Sequence, residues 1–231
     1  RLNKLLRWVQ RNPKKLAYRK FQTKESHLRI VSDAAFKKET EDGYSLKGAL
    51  FLRCTGSTDQ YAQRATTVAH VVDWACKSQK CVTRSTFSAE VLAAGSAADA
   101  GILMSHLPHD SGNGPLIVTR ARELRAEGGD APIYIYIDAQ SVYATTSDTF
   151  IKHPADSALL LHVQYIRELL DRGVIRGLIW VGTRDTGSDG LAKGAVPGDL
   201  LHTIMSDQMT MQRAGELWTS KLCKQQQQIV T

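Results

Sequence analysis

The chain has few cysteines and no paired cysteine motif. Only four occur among 231 residues: Cys54, Cys76, Cys81 and Cys223. No second Cys/His pair is placed to complete a zinc site with Cys76 and Cys81. Cys54 and Cys76 are candidates for contact across neighbouring strands, although reduced, partly buried thiols are favoured. We therefore expect an intracellular, reducing compartment, either the cytoplasm or the nucleus, with an organelle left open.

Long apolar runs are also absent. No run reaches the roughly 18 residues that a membrane span needs, and no signal-peptide pattern opens the chain, so no membrane partner is expected. The chain begins with Arg1 rather than methionine, and we expect a processed or fragmentary piece of a longer protein. Its length and 42% hydrophobic content suffice for one domain with appendages.

Acidic residues are missing from the first 24 positions, which carry nine lysines and arginines. Because the whole chain has a formal net charge of +7, the remaining 207 residues sum to −2. The basic character therefore belongs to an N-terminal arm, residues 1–24. Within it Leu2, Leu5, Leu6 and Val9 follow helical spacing, and Pro13 ends the run. We expect this apolar stripe to dock on the rest of the chain; contact between the arm and phosphates is left open.

A mixed α/β pattern follows the arm. Strands are predicted at 28–36, 44–54, 68–76, 132–138 and 174–182, and helices at about 86–107, at about 155–172 and from 188 onward. Short connections make the first three strands an antiparallel meander, and the last two are expected to run parallel. The prediction is a five-stranded mixed sheet flanked by helices over residues 25–204. A Met- and Gln-rich tail without a clear strand, residues 205–231, follows it.

Four acidic residues lie where these elements meet. Asp33 is on the first strand, Glu90 on the apolar stripe of the first helix, Asp138 at the C-terminal edge of the fourth strand, and Asp189 at the start of the last helix. Each alone has an ordinary explanation, such as a helix cap for Asp189. Together they suggest a cation, because buried carboxylates need partners and oxygen ligands favour magnesium or manganese. Asp185, nearby, is interpreted as a solvated loop acid.

Six short motifs accompany these acids along the chain. They are Ser32-Asp33-Ala34, the segment from Trp74 to Lys80, the segment from Ser85 to Ala94 around Glu90, Asp138-Ala139-Gln140-Ser141-Val142, the segment from Gln164 to Leu169, and the segment from Thr183 to Lys193. In this order they resemble the ribonuclease H domain of copia-type retrotransposon polyproteins. The arm resembles the segment that links that domain to the reverse transcriptase. The resemblance covers roughly residues 1–202 and implies a ribonuclease H-like fold.

The resemblance implies an endonuclease that hydrolyses the RNA strand of RNA–DNA hybrids. Asp33, Glu90, Asp138 and Asp189 would be the catalytic set and would hold two magnesium ions about 4 Å apart, with manganese as a substitute. Asp33 and Asp138 are expected to be the shared ligands. Glu90 and Asp189 would each favour one ion.

Substrate recognition would depend on duplex shape and on 2′-hydroxyl contacts across the minor groove, with little base readout. Gln140, Ser141 and Ser88 are the candidate substrate contacts. The chain departs from the family pattern at Ala139, where the family has asparagine, and in the loop 182–188, which lacks a histidine. The paired aspartates of a polymerase are absent, so this chain is not expected to copy nucleic acid.

A second function of a different class stays open. The missing polymerase, the basic arm, the Gln-rich tail and the altered motif flanks suit a retroelement-derived, non-catalytic module. Such a module would be a structural or RNA-binding component of a larger ribonucleoprotein assembly or polyprotein. An integrase- or resolvase-like nuclease fits the motif flanks less well.

Overall fold

The computed structural model describes residues 7, 10, 11, 15–22, 26–36, 44–55, 66–107, 117–127, 131–151, 154, 156–193, 199–213 and 215–221. The strands in these ranges are β1 (Ser26–Ala35), β2 (Leu46–Thr55), β3 (Thr66–Ser78), β4 (Ile133–Ile137), β5 (Gly177–Trp180), β6 (Gln208–Thr210) and β7 (Glu216–Trp218). The α-helices are α1 (Thr86–Met104), α2 (Val118–Glu127), α3 (Gln140–Ser147), α4 (Ala158–Asp171), α5 (Asp189–Ala192) and α6 (Asp199–Met205). A 3-10 helix, Thr183–Asp185, precedes α5.

The strands form one mixed sheet in the order β6-β3-β2-β1-β4-β5-β7. β1 and β3 pair with β2 antiparallel, while β4 pairs with β1 and β5 in parallel. The predicted arrangement of three antiparallel strands followed by two parallel ones is confirmed. The predicted number is wrong, because the sheet has seven strands and not five. β6 and β7 extend its two edges and lie in the segment that was expected to have no strand.

Strands β1 and β4 in the middle of the sheet are buried on both faces, as the pattern of β4 requires. Successive side chains of a strand point to opposite faces. Ile133, Ile135 and Ile137 pack with α1, α3 and α4 in one core layer, while Tyr136 packs in the other. Because both faces are covered, β4 reads as an almost continuous apolar run. The strand predicted at 132–138 is therefore found, and it lies between β1 and β5.

Helix α1 is the main helix against the first face. It begins at a capping box in which Ser85 and Ser88 exchange hydrogen bonds, and it ends at Met104 rather than near residue 107. Small side chains let it approach the sheet closely, and a Cβ at Gly101 would collide with Ile30 Cδ1. The helix has the length and hydropathy of a membrane span, but 61% of its apolar window is buried inside the protein. Packing against the sheet accounts for its apolar character.

Residues 15–22 of the arm lie across the other face. The backbone N–H of Ala17 donates to the carbonyl of Met205 at 2.8 Å, and the Tyr18 hydroxyl donates to that of Val71 at 2.9 Å. Arg19 forms a salt bridge of 3.0 Å with Asp207, whose side chain is fully buried. This part of the arm is thus docked on β3 and on the turn between α6 and β6. The predicted helical stripe from Leu2 to Val9 lies outside the described residues.

Cysteines in the described ranges form no disulfide. Cys54, Cys76 and Cys81 are free thiols. Along the β2–β3 pair Cys54 faces Ala69 and Cys76 faces Gly48, so the two cysteines are not cross-strand neighbours. The expectation of reduced thiols at these three positions agrees with this geometry, but only Cys54 is buried, and Cys76 and Cys81 are exposed rather than partly buried.

Candidate metal centre

Three of the predicted acids converge at the C-terminal ends of the neighbouring strands β1 and β4. Val31 and Tyr136 are paired in the parallel β1–β4 register, so Asp33 and Asp138, each two residues further along, emerge side by side. Glu90 of α1 completes the group. Ligand oxygens of Asp33, Glu90 and Asp138 all lie within 4.8 Å of one another. The clustering predicted for these three carboxylates is therefore found in the structure.

Glu90 reaches the ends of these strands because α1 lies close to β1. Ala34 packs directly against Ala89 and Ala93, whose small side chains bring the first turns of the helix onto the strand. Glu90 is itself buried, and its carboxylate accepts a hydrogen bond from the backbone of Ala34. The first turns of α1 therefore hold this carboxylate in place.

Burial and mutual repulsion make the three carboxyl groups hard to ionise together. Burial, opposed in part by Lys193, raises the pKa of Asp33 to about 7. Burial, reinforced by the charges of Asp33 and Asp138, raises the pKa of Glu90 to about 8. The pKa of Asp138 is also raised, mainly by burial, although Lys193 opposes the shift and the Thr183 side chain donates a hydrogen bond to the ionised form. Such a group binds protons, or another cation, near neutral pH.

The fourth acid is connected to the cluster through a lysine. Lys193 Nζ donates to Asp33 Oδ1 at 2.9 Å and to Asp189 Oδ1 at 2.7 Å. Burial alone would lower the pKa of Lys193, but the hydrogen bonds to Asp189 and Asp33 outweigh it and raise that pKa above its ordinary value. Lys193 was not among the site residues predicted from the sequence. Its available signal was the i, i+4 spacing from Asp189, which places both side chains on one face of a helical turn.

Asp185 is not a solvated loop acid, and that interpretation is wrong. It is 1% exposed, and its carboxylate accepts hydrogen bonds from the backbone N–H groups of Gln212 at 2.7 Å and Arg213 at 3.1 Å. These two hydrogen bonds therefore connect the segment before α5 to the segment after β6. The side chain of Ser188, which precedes α5, makes no capping hydrogen bond.

The three candidate substrate contacts lie in different settings. Gln140 and Ser141 are exposed in the first turn of α3, directly after Asp138. Ser88 is instead buried, and its hydroxyl donates to the carbonyl of Ser85 at 2.7 Å. That hydroxyl is engaged in the capping box of α1 and is not presented to a substrate. Gln140 and Ser141 stay predictions.

The donor set fits a divalent cation of the magnesium type. All four acids offer carboxylate oxygens, the hard ligands that Mg²⁺ and Mn²⁺ prefer. Asp33 Oδ2 is buried and has no hydrogen-bond partner among the described residues. A buried carboxylate oxygen left in this state is costly, and a bound cation would satisfy it. The chemistry of the cluster thus matches the cofactor expected from the sequence.

Comparison with known proteins gives a distant likeness among solved structures. No protein-family model matches the chain, and no curated protein matches it. Among solved structures, the N-terminal RNase H domain of a Mycobacterium tuberculosis protein, solved as a fusion with maltose-binding protein, is similar at 15% identity and a TM-score of 0.44. The match covers 76% of this chain and 95% of that chain. A likeness at this TM-score is too weak to assign the fold, which rests on the strand order and registers given above.

Proposed function

We propose that this chain is a metal-dependent endonuclease with a ribonuclease H-like fold that hydrolyses the RNA strand of RNA–DNA hybrids. The observation that supports this most is the convergence of Asp33, Glu90 and Asp138, with oxygens within 4.8 Å. These carboxylates meet at the C-terminal ends of the neighbouring parallel strands β1 and β4. The sheet around them has the expected three antiparallel strands followed by two parallel ones. An intracellular, reducing compartment belongs to the same proposal.

Each acid has a role that suits its position. Asp33 and Asp138 extend from neighbouring strands and are the shared ligands, because rigid strands keep their oxygens at a fixed separation. Glu90 and Asp189 each complete the coordination of one ion. When bound, two divalent cations would lower the pKa of an attacking water and stabilise the leaving 3′-oxygen. The Ala34 backbone orients Glu90, and Thr183 orients Asp138.

Substrate binding is assigned to the surface next to Asp138. Gln140 and Ser141 are exposed there, and their amide and hydroxyl groups can hydrogen-bond to sugar hydroxyls or phosphates. Recognition through the 2′-hydroxyl and duplex shape would require no base readout. The partner is therefore proposed to be an RNA–DNA hybrid, bound with little sequence preference.

Cleavage of a labelled hybrid tests this function directly. We expect products with Mg²⁺ or Mn²⁺ when the RNA strand is paired with DNA, and none from single-stranded RNA. Ca²⁺ should support binding without turnover. Asp33→Asn should abolish cleavage, while Asp73→Asn, on the exposed part of β3, is the matched control and should retain it. Equal cutting of single-stranded RNA, or cutting that survives in Asp33→Asn, contradicts the proposal.

The alternative is a non-catalytic module of a ribonucleoprotein assembly. One observation favours it: Lys193 already supplies a positive charge to Asp33 and Asp189, which is how a site that no longer needs metal would be neutralised. Hybrid binding without any metal-dependent product, at protein concentrations that saturate the substrate, would support this alternative over the nuclease.

A further inference from the structure

Lys193 enters the carboxylate cluster from the solvent side. Its side chain is 35% exposed, whereas those of Asp33 and Asp189 are 0% and 6% exposed. The ammonium group nevertheless lies 2.9 Å from Asp33 Oδ1 and 2.7 Å from Asp189 Oδ1. One flexible, partly exposed cation thus bridges two buried anions.

This bridge divides the four acids into two groups. Asp33, Glu90 and Asp138 lie within 4.8 Å of one another, but Asp189 is joined to Asp33 through the lysine. The two oxygens of Asp33 are divided in the same way. Oδ1 accepts from Lys193, while the buried Oδ2 has no hydrogen-bond partner among the described residues. Oδ2 of Asp33 is therefore available to a metal cation, whereas Oδ1 is already paired with the ammonium group of Lys193.

We propose that Lys193 is an internal cation that occupies the position between Asp33 and Asp189, and that a divalent cation binds there only by displacing it. The inference rests on the proposed function, because it concerns the second of the two expected ions. The first ion binds at the open side of Asp33 with Glu90 and Asp138. The second exchanges with the ammonium group, and Asp189 becomes a ligand only after that exchange.

Physical reasons support an exchange rather than simultaneous occupation. An ammonium group within hydrogen-bond distance of a ligand oxygen repels a divalent cation on the same oxygen. Lys193 directly follows the short helix α5 and has a third of its side chain exposed, so its ammonium can turn into water without moving the sheet. The hydrogen bonds that Lys193 gives up are then a direct cost of binding the second ion.

Calorimetric titration with Mg²⁺ and Mn²⁺ tests the exchange without using activity. The parent should bind one ion more tightly than the other. Lys193→Gln, which keeps much of the side-chain length and removes the charge, should tighten the weaker ion by about ten-fold, a factor typical of losing a hydrogen bond to a charged group. Lys193→Arg keeps the charge and should keep the weak site weak. Lys47→Gln is the matched control, because Lys47 donates to Ser96 at 2.8 Å and makes no hydrogen bond to the cluster.

Melting temperature without metal shows that each variant folds, and it should fall in Lys193→Gln but not in Lys193→Arg. Equal metal affinity in the parent, Lys193→Gln and Lys47→Gln overturns the inference, and weaker binding in Lys193→Gln overturns it by giving Lys193 a supporting role. If either of these results is found and the parent still cleaves hybrids, the displacement of Lys193 is wrong but the proposed function stands. If the parent binds no ion and Lys193→Gln does, the internal cation is supported and the proposed metal-dependent activity fails. If neither binds, both fail.

Discussion

Asp185 and Asp189 lie four residues apart and are both buried, yet their carboxylates bind different partners. Asp185 accepts hydrogen bonds from the backbone N–H groups of Gln212 and Arg213, whereas Asp189 accepts one from the ammonium group of Lys193. Asp185 thus holds the loop before α5 in place, and Asp189 faces the carboxylate cluster. Substitution of the two residues should therefore have different effects.

Asp185→Asn should destabilise the protein by about 2 kcal/mol, because hydrogen bonds to a charged group contribute about 1.5–3 kcal/mol each and the amide keeps only one acceptor oxygen. Denaturant unfolding of the two variants provides the measurement. Asp185→Asn should still be stabilised by Mg²⁺ while it is folded, and Asp189→Asn should be stabilised much less. A reversed pattern would mean that Asp185 is the fourth ligand.

Glu90→Gln should raise the melting temperature of the metal-free protein at pH 8. The substitution removes a buried charge that Asp33 and Asp138 repel, which is the stabilisation expected when a strained site is relaxed. It should also abolish cleavage and most of the stabilisation that Mg²⁺ provides by mass action. Glu168→Gln is the control, because Glu168 forms an exposed salt bridge of 3.0 Å with Arg172, and such pairs contribute little. Mg²⁺ stabilisation of equal size in both variants would show that Glu90 is not a ligand.

Stability of the metal-free protein should fall as the pH rises. Unfolded Asp and Glu side chains lose their protons near pH 4, whereas the folded protein has a pKa of about 7 at Asp33 and about 8 at Glu90. Between these limits the folded state binds more protons than the unfolded state, so these two groups lower the free energy of unfolding as the pH increases.

Urea unfolding in a chelating buffer at pH 5.0, 6.5 and 8.0 measures this dependence, with Glu90→Gln isolating the part due to Glu90. Saturating Mg²⁺ should flatten it, because metal-bound carboxylates are deprotonated and the folded state then no longer binds the extra protons. If the free energies of unfolding of the parent and Glu90→Gln fall equally as the pH rises, Glu90 does not contribute to the pH dependence.

Elements with a strong pattern were predictable from the sequence, and short ones were not. β4 combines a short apolar run rich in Ile and Tyr with turn residues before it, so its existence as a buried strand follows from the sequence pattern. β6 and β7 have three residues each, too few for a periodic signal, and their conformation comes from pairing with β3 and β5. Helix α3 was missed for a related reason: it has eight residues, and Ala139 gives it no side-chain cap.

The grouping of Asp33, Glu90 and Asp138 was predictable from their places on strands and on the apolar stripe of a helix, together with the order of the motifs around them. Lys193 was missed, because a sequence does not show that a lysine contacts a strand 160 residues away. Asp185 was misinterpreted for a similar reason, since its partners are backbone N–H groups after β6, and any residue type other than proline supplies such a group.

The arm should divide into a part that binds nucleic acid and a part that stabilises the fold. Residues 1–14 carry five lysines and arginines. If they bind phosphates, their deletion should weaken hybrid binding and flatten the dependence of log affinity on log salt, by roughly 0.9 for each phosphate that these residues neutralise. The melting temperature should stay the same, because residues 15–22 still dock on the fold.

Arg19→Ala should do the opposite. Arg19 pairs at 3.0 Å with Asp207, whose side chain is 0% exposed, so its removal leaves a buried carboxylate without that salt bridge and should cost about 1–3 kcal/mol. The salt dependence of hybrid binding should be unchanged. Arg172→Ala, which breaks the exposed pair with Glu168, is the control and should cost less than about 1 kcal/mol. If deletion of residues 1–14 leaves the salt dependence unchanged, the arm serves docking alone; if Arg19→Ala flattens it, Arg19 itself binds the nucleic acid.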